Sequence, residues 1–263
     1  MMHTPRNSGI LRLAVQSVQY PHSVALMSKP CIDIETFTWS NLKTDIFQGR
    51  HANTMCLYLE KVVNPTLDVI DTEHEEMSKS DEPAAIFGLD DMTMLRQSTL
   101  QAFTLSVQSL WERQLRRYLT ECARELERPA TYLKDLETGS WTKLSEHFKQ
   151  LRGLPLEAFD SFSDLDLLQL LGNACRHGEG KSARILRERM PDLWPISQIN
   201  VPRSLLGRLT HAVIWFWEDH DYIYINSIAR KHPSVDKALA KKREDRARRL
   251  QPGNTAGSLN SFR

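Results

Sequence analysis

The chain has 263 residues, a formal net charge of +1 and an apolar content of 41%, enough to bury an ordinary core without disulfides. Its cysteines are far apart and form no CxxC pair, which argues against a zinc site and a disulfide framework; they are Cys31, Cys56, Cys122 and Cys175. No apolar run is long enough to cross a bilayer, and the N-terminus lacks a signal-peptide pattern. We therefore expect a cytoplasmic protein with no membrane partner, no metal and no other cofactor.

Two segments of opposite charge lie behind the small net charge. Residues 68–91 contain nine acidic residues against Lys79, and residues 230–249 contain nine Lys or Arg against three acids. A basic segment of this kind is typical of a nucleic-acid footprint or of a solvated helix. No aromatic residue suited to base stacking lies within the basic run, which favours the solvated helix.

Residues 1–38 predict an irregular N-terminal arm, because they show no sustained period and contain three prolines, namely Pro5, Pro21 and Pro30. Within this arm and just after it, CIDIETFTW (residues 31–39) alternates well enough for one short strand or an extended segment. From about Gly49 the apolar spacing becomes helical, and we expect Pro65 to kink or split that helix. The stretch SKSDEP then forms a loop.

The most regular pattern covers residues 89–126. Apolar residues return to one broad stripe throughout it, among them Leu100, Val107 and Leu115. Asp90 or Asp91 is the predicted N-cap, and Pro129 is expected to end the helix. A helix of this length is typical of the spine of a helical bundle.

Shorter helical patterns follow the long one. Ser140 and Gly153 are predicted to cap and stop a helix, and Ser163 or Asp164 to begin another that ends at Gly178. Three more patterns cover residues 181–190, 203–232 and 234–250. The aromatic residues of the second of these indicate a core or a dimer interface; they are Trp215, Phe216, Trp217, Tyr222 and Tyr224.

Strand signals are few, so we expect an all-α fold, a bundle of about five to seven helices. The helical domain is expected over residues 39–229, after the irregular arm. Residues 230–263 are expected to form a basic helix followed by a disordered-looking end, because QPGNTAGSLNSFR is rich in small and polar residues.

The stretch NACRHGEGKSA, residues 173–183, contains GKS, which resembles the end of a phosphate-binding P-loop. The first glycine of GxxxxGK[ST] would stand at position 175, where the sequence has Cys175. A P-loop also follows a buried strand, whereas LDLLQLLGNA is Leu-rich with helical spacing. The nucleotide-hydrolase interpretation is therefore disfavoured.

The same stretch predicts a histidine at a helix end. Asn173 and His177 are four residues apart and share a helix face, and Gly178 suits a helix stop. A histidine in the last turn of a helix can act as a general acid or base. Several cations lie close by in sequence and suit a phosphate; these are Arg176, Lys181, Arg184 and Arg187.

A helix that ends in Asn-x-x-x-His-Gly resembles the HEPN superfamily of small all-α domains. Two further segments agree: LRQSTLQAFTLSVQSLWERQLRRYL resembles the long early helix of Abi-like members, and INVPRSLLGRLTHAVIWFWEDH resembles their final helix. The resemblance spans about residues 90–220, inside the expected domain 39–229.

The resemblance implies a metal-independent ribonuclease of a bacterial toxin–antitoxin or anti-phage system, acting as a homodimer on RNA. His177 matches the catalytic histidine, and Asn173 matches the polar residue that follows the motif arginine. That arginine should stand at 172, where this chain has Gly172. Either Arg176 or Arg184 takes its place, or the site does not cleave.

Two other interpretations stay open from the sequence. In the first of them, His177 only caps backbone carbonyls at the end of its helix. In the second, the protein is a non-enzymatic interaction or regulatory subunit, whose helices form a dimer surface or bind a partner protein.

Overall fold

The computed structural model describes residues 32–82, 85–195, 198–228 and 232–251. In these ranges all regular structure is helical and no strand occurs, so the predicted all-α fold is confirmed. Residues 34–36 form a turn, which makes the strand alternative for this segment wrong. Residues 1–31 of the expected arm and residues 252–263 of the expected C-terminal end lie outside the described ranges.

The helices of the described ranges form a bundle around one long member. Their bounds are α1 Gly49–Tyr58, α2 Asn64–Ser78, α3 Ala85–Glu125, α4 Ala130–Thr138, α5 Trp141–Arg152, α6 Phe162–His177, α7 Lys181–Arg189, α8 Arg203–Ser227 and α9 Pro233–Arg249. A π-helical segment, Leu59–Val63, joins α1 to α2 without a break. When α1 and α2 are counted as one continuous helix, the described residues contain eight helices, one more than the upper limit of the expected five to seven.

The chain passes Pro65 by changing its hydrogen-bond register. Proline lacks an N–H, and its ring clashes with the carbonyl four residues earlier. The π-helical segment Leu59–Val63 lies immediately before Pro65, and its wider turn relieves that clash. The chain therefore stays helical through Pro65, and the predicted split does not occur.

Helix α3 is the spine of the bundle, as its length predicts. It has 41 residues and contacts α2, α4, α5, α6 and α8. The predicted cap is wrong, because Asp90 and Asp91 lie inside a helix that already includes Ala85. Pro129 follows its end, and there it begins α4, a helix that the sequence pattern did not predict.

The helix ends predicted from Ser140, Gly153 and Gly178 agree with the structure. The Ser140 hydroxyl accepts a hydrogen bond from the Lys143 N–H, and Gly153 ends α5 in the left-handed region, with φ of +68°. Helix α6 begins at Phe162, within two residues of the predicted start, and ends at His177. These ends are encoded by single residues, which explains why sequence alone finds them.

Helices α8 and α9 carry the aromatic and basic segments. Phe216, Trp217 and Tyr222 are buried in the core, which is the first of the two predicted roles. Most residues of helix α9 are exposed, as the solvated-helix interpretation predicts. One side of the helix is docked, because Arg246 is buried against the carboxylates of other elements; these are Glu35, Asp160 and Asp219.

A buried ionic cluster ties the N-terminal segment to three helices. Asp45 accepts hydrogen bonds from Arg152 at 2.7 Å and from the Tyr118 hydroxyl at 2.8 Å, and His220 Nε2 lies 3.3 Å from the same carboxylate. The Arg152 guanidinium also stacks over Trp39 at 4.1 Å. Asp45, Arg152 and His220 are all buried, so the charges of Asp45 and Arg152 rely on each other and on their hydrogen bonds.

Replacing Arg152 by Leu is expected to lower the free energy of unfolding by about 3–5 kcal/mol, because it leaves the Asp45 carboxylate buried without a countercharge. Urea unfolding measures this change. Arg113→Leu is the control, since Arg113 is exposed on α3. Equal effects of the two substitutions would show that the Asp45–Arg152 pair does not stabilise the fold.

Stability is expected to fall as the pH drops below about 6.5, because burial, aided by Arg152 and His51, holds the pKa of His220 well below its usual value. The unfolded chain then binds a proton that the folded chain refuses, at a cost approaching about 1.4 kcal/mol per pH unit. His220→Phe removes this component of the pH dependence, whereas His232→Gln, at an exposed position, retains it. An unchanged slope in His220→Phe contradicts the assignment.

Candidate functional site

The turn between α6 and α7 brings together the polar residues singled out in the sequence. Gly178 ends α6 with a φ of +65°, a value that favours glycine, and its N–H donates to the Ala174 carbonyl at 2.8 Å. Four side chains stand exposed around this turn, and we call them the basic elbow: Arg176, His177, Lys181 and Arg184.

Asn173 and His177 lie one turn apart on the same side of α6, as their spacing predicts. Asn173 is half-buried and His177 is exposed. Neither side chain forms a hydrogen bond with another described residue, so His177 does not cap the carbonyls of its own helix. Its ring is available to a ligand.

The absence of an arginine at position 172 has a steric cause. A Cβ atom at Gly172 would lie 2.8 Å from Gln108 Cγ and 3.0 Å from Gln108 Cβ, which is closer than packed carbon atoms approach. Gly172 and Gln108 are both buried. Helix α6 therefore crosses α3 at a point that leaves no room for an arginine side chain at 172.

Arg176 reaches this crossing from one turn away. Helical side chains lean towards the N-terminus, and Arg176 Nη2 donates to Gln108 Oε1 at 3.1 Å. Because Gln108 is also the residue that packs on Gly172, the Arg176 guanidinium stands beside the position where the resemblance expects one. Arg184, the other candidate for that role, has no described contact with Gln108.

A polar network behind Arg176 holds Gln108 in place. Gln108 Nε2 donates to Glu112 Oε2 at 2.7 Å and to Gln169 Oε1 at 2.9 Å. Glu112 in turn accepts from Arg116 at 2.7 Å. Sequence reasoning missed Gln108 and Gln169, whose signal was a polar residue on the apolar stripe of a helix.

Arg187 is already paired with a carboxylate, unlike the other predicted ligand-binding cations. Its guanidinium forms two hydrogen bonds with Glu179, at 2.7 and 2.5 Å, and lies 5.1 Å from the Trp194 ring centre. The hydrogen bond from Arg187 lowers the pKa of Glu179. By contrast, no described carboxylate pairs with Lys181 or Arg184, so their charges are free for a ligand.

Other chemistries receive no support at this turn. Burial raises the pKa of the neighbouring Cys175 thiol to about 12, so a thiolate nucleophile does not form near neutral pH. Residues 162–177 are helical, which removes the strand that a P-loop requires. Throughout the described ranges, no three His, Cys, Asp or Glu side chains are grouped to hold a metal ion.

Comparison of the chain with protein-family models, curated proteins and solved structures found no match. The resemblance to the HEPN superfamily therefore stays a prediction. None of the described helices is both long and apolar enough to span a bilayer.

Gly172→Ala is expected to lower the free energy of unfolding by about 1–3 kcal/mol, because the added methyl group overpacks against Gln108. The control is Gly207→Ala in α8, where a Cβ meets nothing within 4 Å and should raise stability by about 0.5–1 kcal/mol. Urea unfolding of both variants tests the contact through the opposite signs. A stabilising Gly172→Ala contradicts the close crossing.

Proposed function

We propose that this protein binds RNA through the basic elbow and that His177 is the group that takes up a proton in RNA cleavage. The observation that carries the proposal is the grouping of three cations without a carboxylate partner among the described residues around an exposed histidine. Phosphate oxygens are the ligands that such a group of side chains prefers.

The three cations make different contributions to phosphate binding. Arg176 is held by Gln108 at 3.1 Å and needs little reorganisation to meet a phosphate, which favours an orienting role. Lys181 and Arg184 are three residues apart and share a face of α7. They suit the neighbouring phosphates of a flexible strand, where long-range attraction matters more than geometry.

RNA is the proposed nucleic acid because the 2′-hydroxyl of its ribose can serve as the nucleophile, so that a single histidine acting as the base is enough for cleavage. His177 accepts the 2′-hydroxyl proton, and the 2′-oxygen attacks the adjacent phosphorus. The bond from phosphorus to the 5′-oxygen breaks, a 2′,3′-cyclic phosphate forms, and the leaving 5′-oxygen takes a proton from water. The hydroxide so formed takes the proton from His177, which restores the histidine. Arg176 stabilises the charge that develops on the phosphate, in the role that the resemblance gives to an arginine at 172.

The biological setting is a prediction from the resemblance alone. It suggests a toxin–antitoxin or anti-phage system and a homodimer in which two elbows face each other. The interaction-subunit alternative rests on a different surface, the exposed side of α3 near its start.

Replacing Lys181 and Arg184 by Gln is expected to weaken binding of a short single-stranded RNA about 25-fold at about 0.1 M salt, since each phosphate contact contributes about fivefold there. The slope of log K against log salt should fall in magnitude from about 2 to about 0.7. Fluorescence anisotropy on the full chain measures both quantities.

The matched control is Lys237→Gln with Lys241→Gln, two exposed lysines of α9 that pair with no described carboxylate. This variant should bind within about twofold of the unmodified protein, because the total charge changes equally but the elbow does not. If both double variants weaken binding alike, attraction is general and the elbow is not the site.

Cleavage is tested separately from binding. His177→Ala should abolish the release of 2′,3′-cyclic phosphate ends while leaving RNA affinity within about threefold, because Arg176, Lys181 and Arg184 remain to attract the phosphates. His232→Ala, at an exposed position on the described surface, is the control. Cleavage that persists in His177→Ala removes the catalytic role and leaves the binding role standing.

A further inference from the structure

One stripe of α3 is covered along only part of its length. Phe87, Met94, Gln101 and Gln108 follow one another at seven-residue spacing and therefore lie on one side of the helix. Gln108 packs on Gly172 of α6, and Gln101 donates to the Ile199 carbonyl at 2.9 Å. No described residue continues this cover over the first two members of the stripe.

The uncovered part is apolar and exposed. The side chains of Phe87 and Met94 are 76% and 63% exposed, and the adjacent Ile86 and Leu95 are 68% and 49% exposed. Phe87 and Met94 lie in line on one side of α3, and Ile86 and Leu95 add exposed apolar surface to either side of them. Single exposed apolar residues are ordinary, but several large ones on one segment of a helix indicate a binding surface. We call Phe87 and Met94 the open stripe.

Carboxylates edge the open stripe on both sides. Asp90 lies three residues after Phe87 and four before Met94. Asp91 lies four residues after Phe87 and three before Met94, so the two carboxylates flank the line that joins Phe87 to Met94. Both are exposed and form no ion pair with a described residue. Four other exposed carboxylates, in α2 and in the segment between α2 and α3, also form no ion pair with a described residue; they are Glu73, Glu76, Asp81 and Glu82.

The surface is held in place from behind. Arg96 of α3 pairs with Asp71 of α2 at 2.5 Å, and Arg203 of α8 pairs with Asp68 and Asp71 at 2.6 and 2.8 Å. His74 and Thr93 add a hydrogen bond of 3.0 Å between the two helices. The ion pairs and the hydrogen bond fix α3 against α2, so the open stripe is already formed before a partner binds.

We propose that the open stripe docks an amphipathic helix of a partner protein whose apolar edge is flanked by Lys and Arg. A helix laid on Phe87 and Met94 continues the cover that α6 provides further along α3, and its cations meet Asp90 and Asp91. The carboxylates disfavour a nucleic acid or an anionic membrane here. They also disfavour a second copy that docks through its own open stripe, because two sets of like charges would then come together.

The test uses a labelled amphipathic helical peptide built only of Leu and Lys, and a second peptide with Glu in place of Lys. The full chain should bind the Lys peptide, and more weakly as salt rises, and should bind the Glu peptide at least about tenfold less well. Phe87→Ser with Met94→Ser should weaken the Lys peptide at least about tenfold. Asp90→Asn with Asp91→Asn should weaken it about three- to tenfold and remove most of the salt dependence.

Matched controls separate this surface from general stickiness. Phe47→Ser removes an exposed Phe elsewhere, and Glu127→Gln with Glu137→Gln removes two exposed carboxylates elsewhere; both should leave peptide affinity within about twofold. Equal weakening by these controls overturns the proposal. So does sedimentation showing a dimer that Phe87→Ser dissociates, because the occupant is then a second copy. RNA affinity should be unchanged in the stripe variants, which keeps this test independent of the elbow.

Discussion

The close crossing of α6 over α3 at Gly172 determines how the proposed site is built. With no side chain at 172, Gln108 lies directly against the α6 backbone, and its amide becomes the acceptor that draws Arg176 back along the helix. The crossing also sets the height at which α6 ends, and with it the place of His177 and the turn into α7. Arginine at 172 and this packing exclude each other, so the guanidinium reaches the site from the next turn.

The two proposed surfaces are kept apart by charge. The elbow carries cations at the end of α6 and the start of α7, whereas the open stripe lies among carboxylates near the start of α3, and neither set forms an ion pair with a described residue. A phosphate backbone is attracted to the first surface and repelled by the second, and a basic helix behaves in the opposite way. The proposed RNA-binding surface and the proposed protein-binding surface therefore do not compete for the same ligand.

Sequence patterns predicted the all-α fold, the long spine and the ends at Ser140, Gly153 and Gly178, because each depends on residues close in the chain. They missed α4, whose nine residues are too few to establish a period, and they misplaced the start of α3 because Asp90 has a cap's chemistry in a helix interior. At the site, Asn173 and His177 share a face as predicted, but the roles of Gln108 and Glu179 depend on contacts that residue spacing does not encode. The docking of α9 likewise depends on carboxylates distant in the chain, such as Glu35.

Binding of RNA at the elbow can be followed residue by residue in a nuclear magnetic resonance titration. A short single-stranded RNA is added to the isotope-labelled full chain, and the shifts of backbone amides are followed to saturation. We expect saturable shifts confined to residues 173–187 and to Gln108 and its hydrogen-bond partners. Shifts centred on α9, or no saturable shift at any residue, would show that RNA does not bind at the elbow.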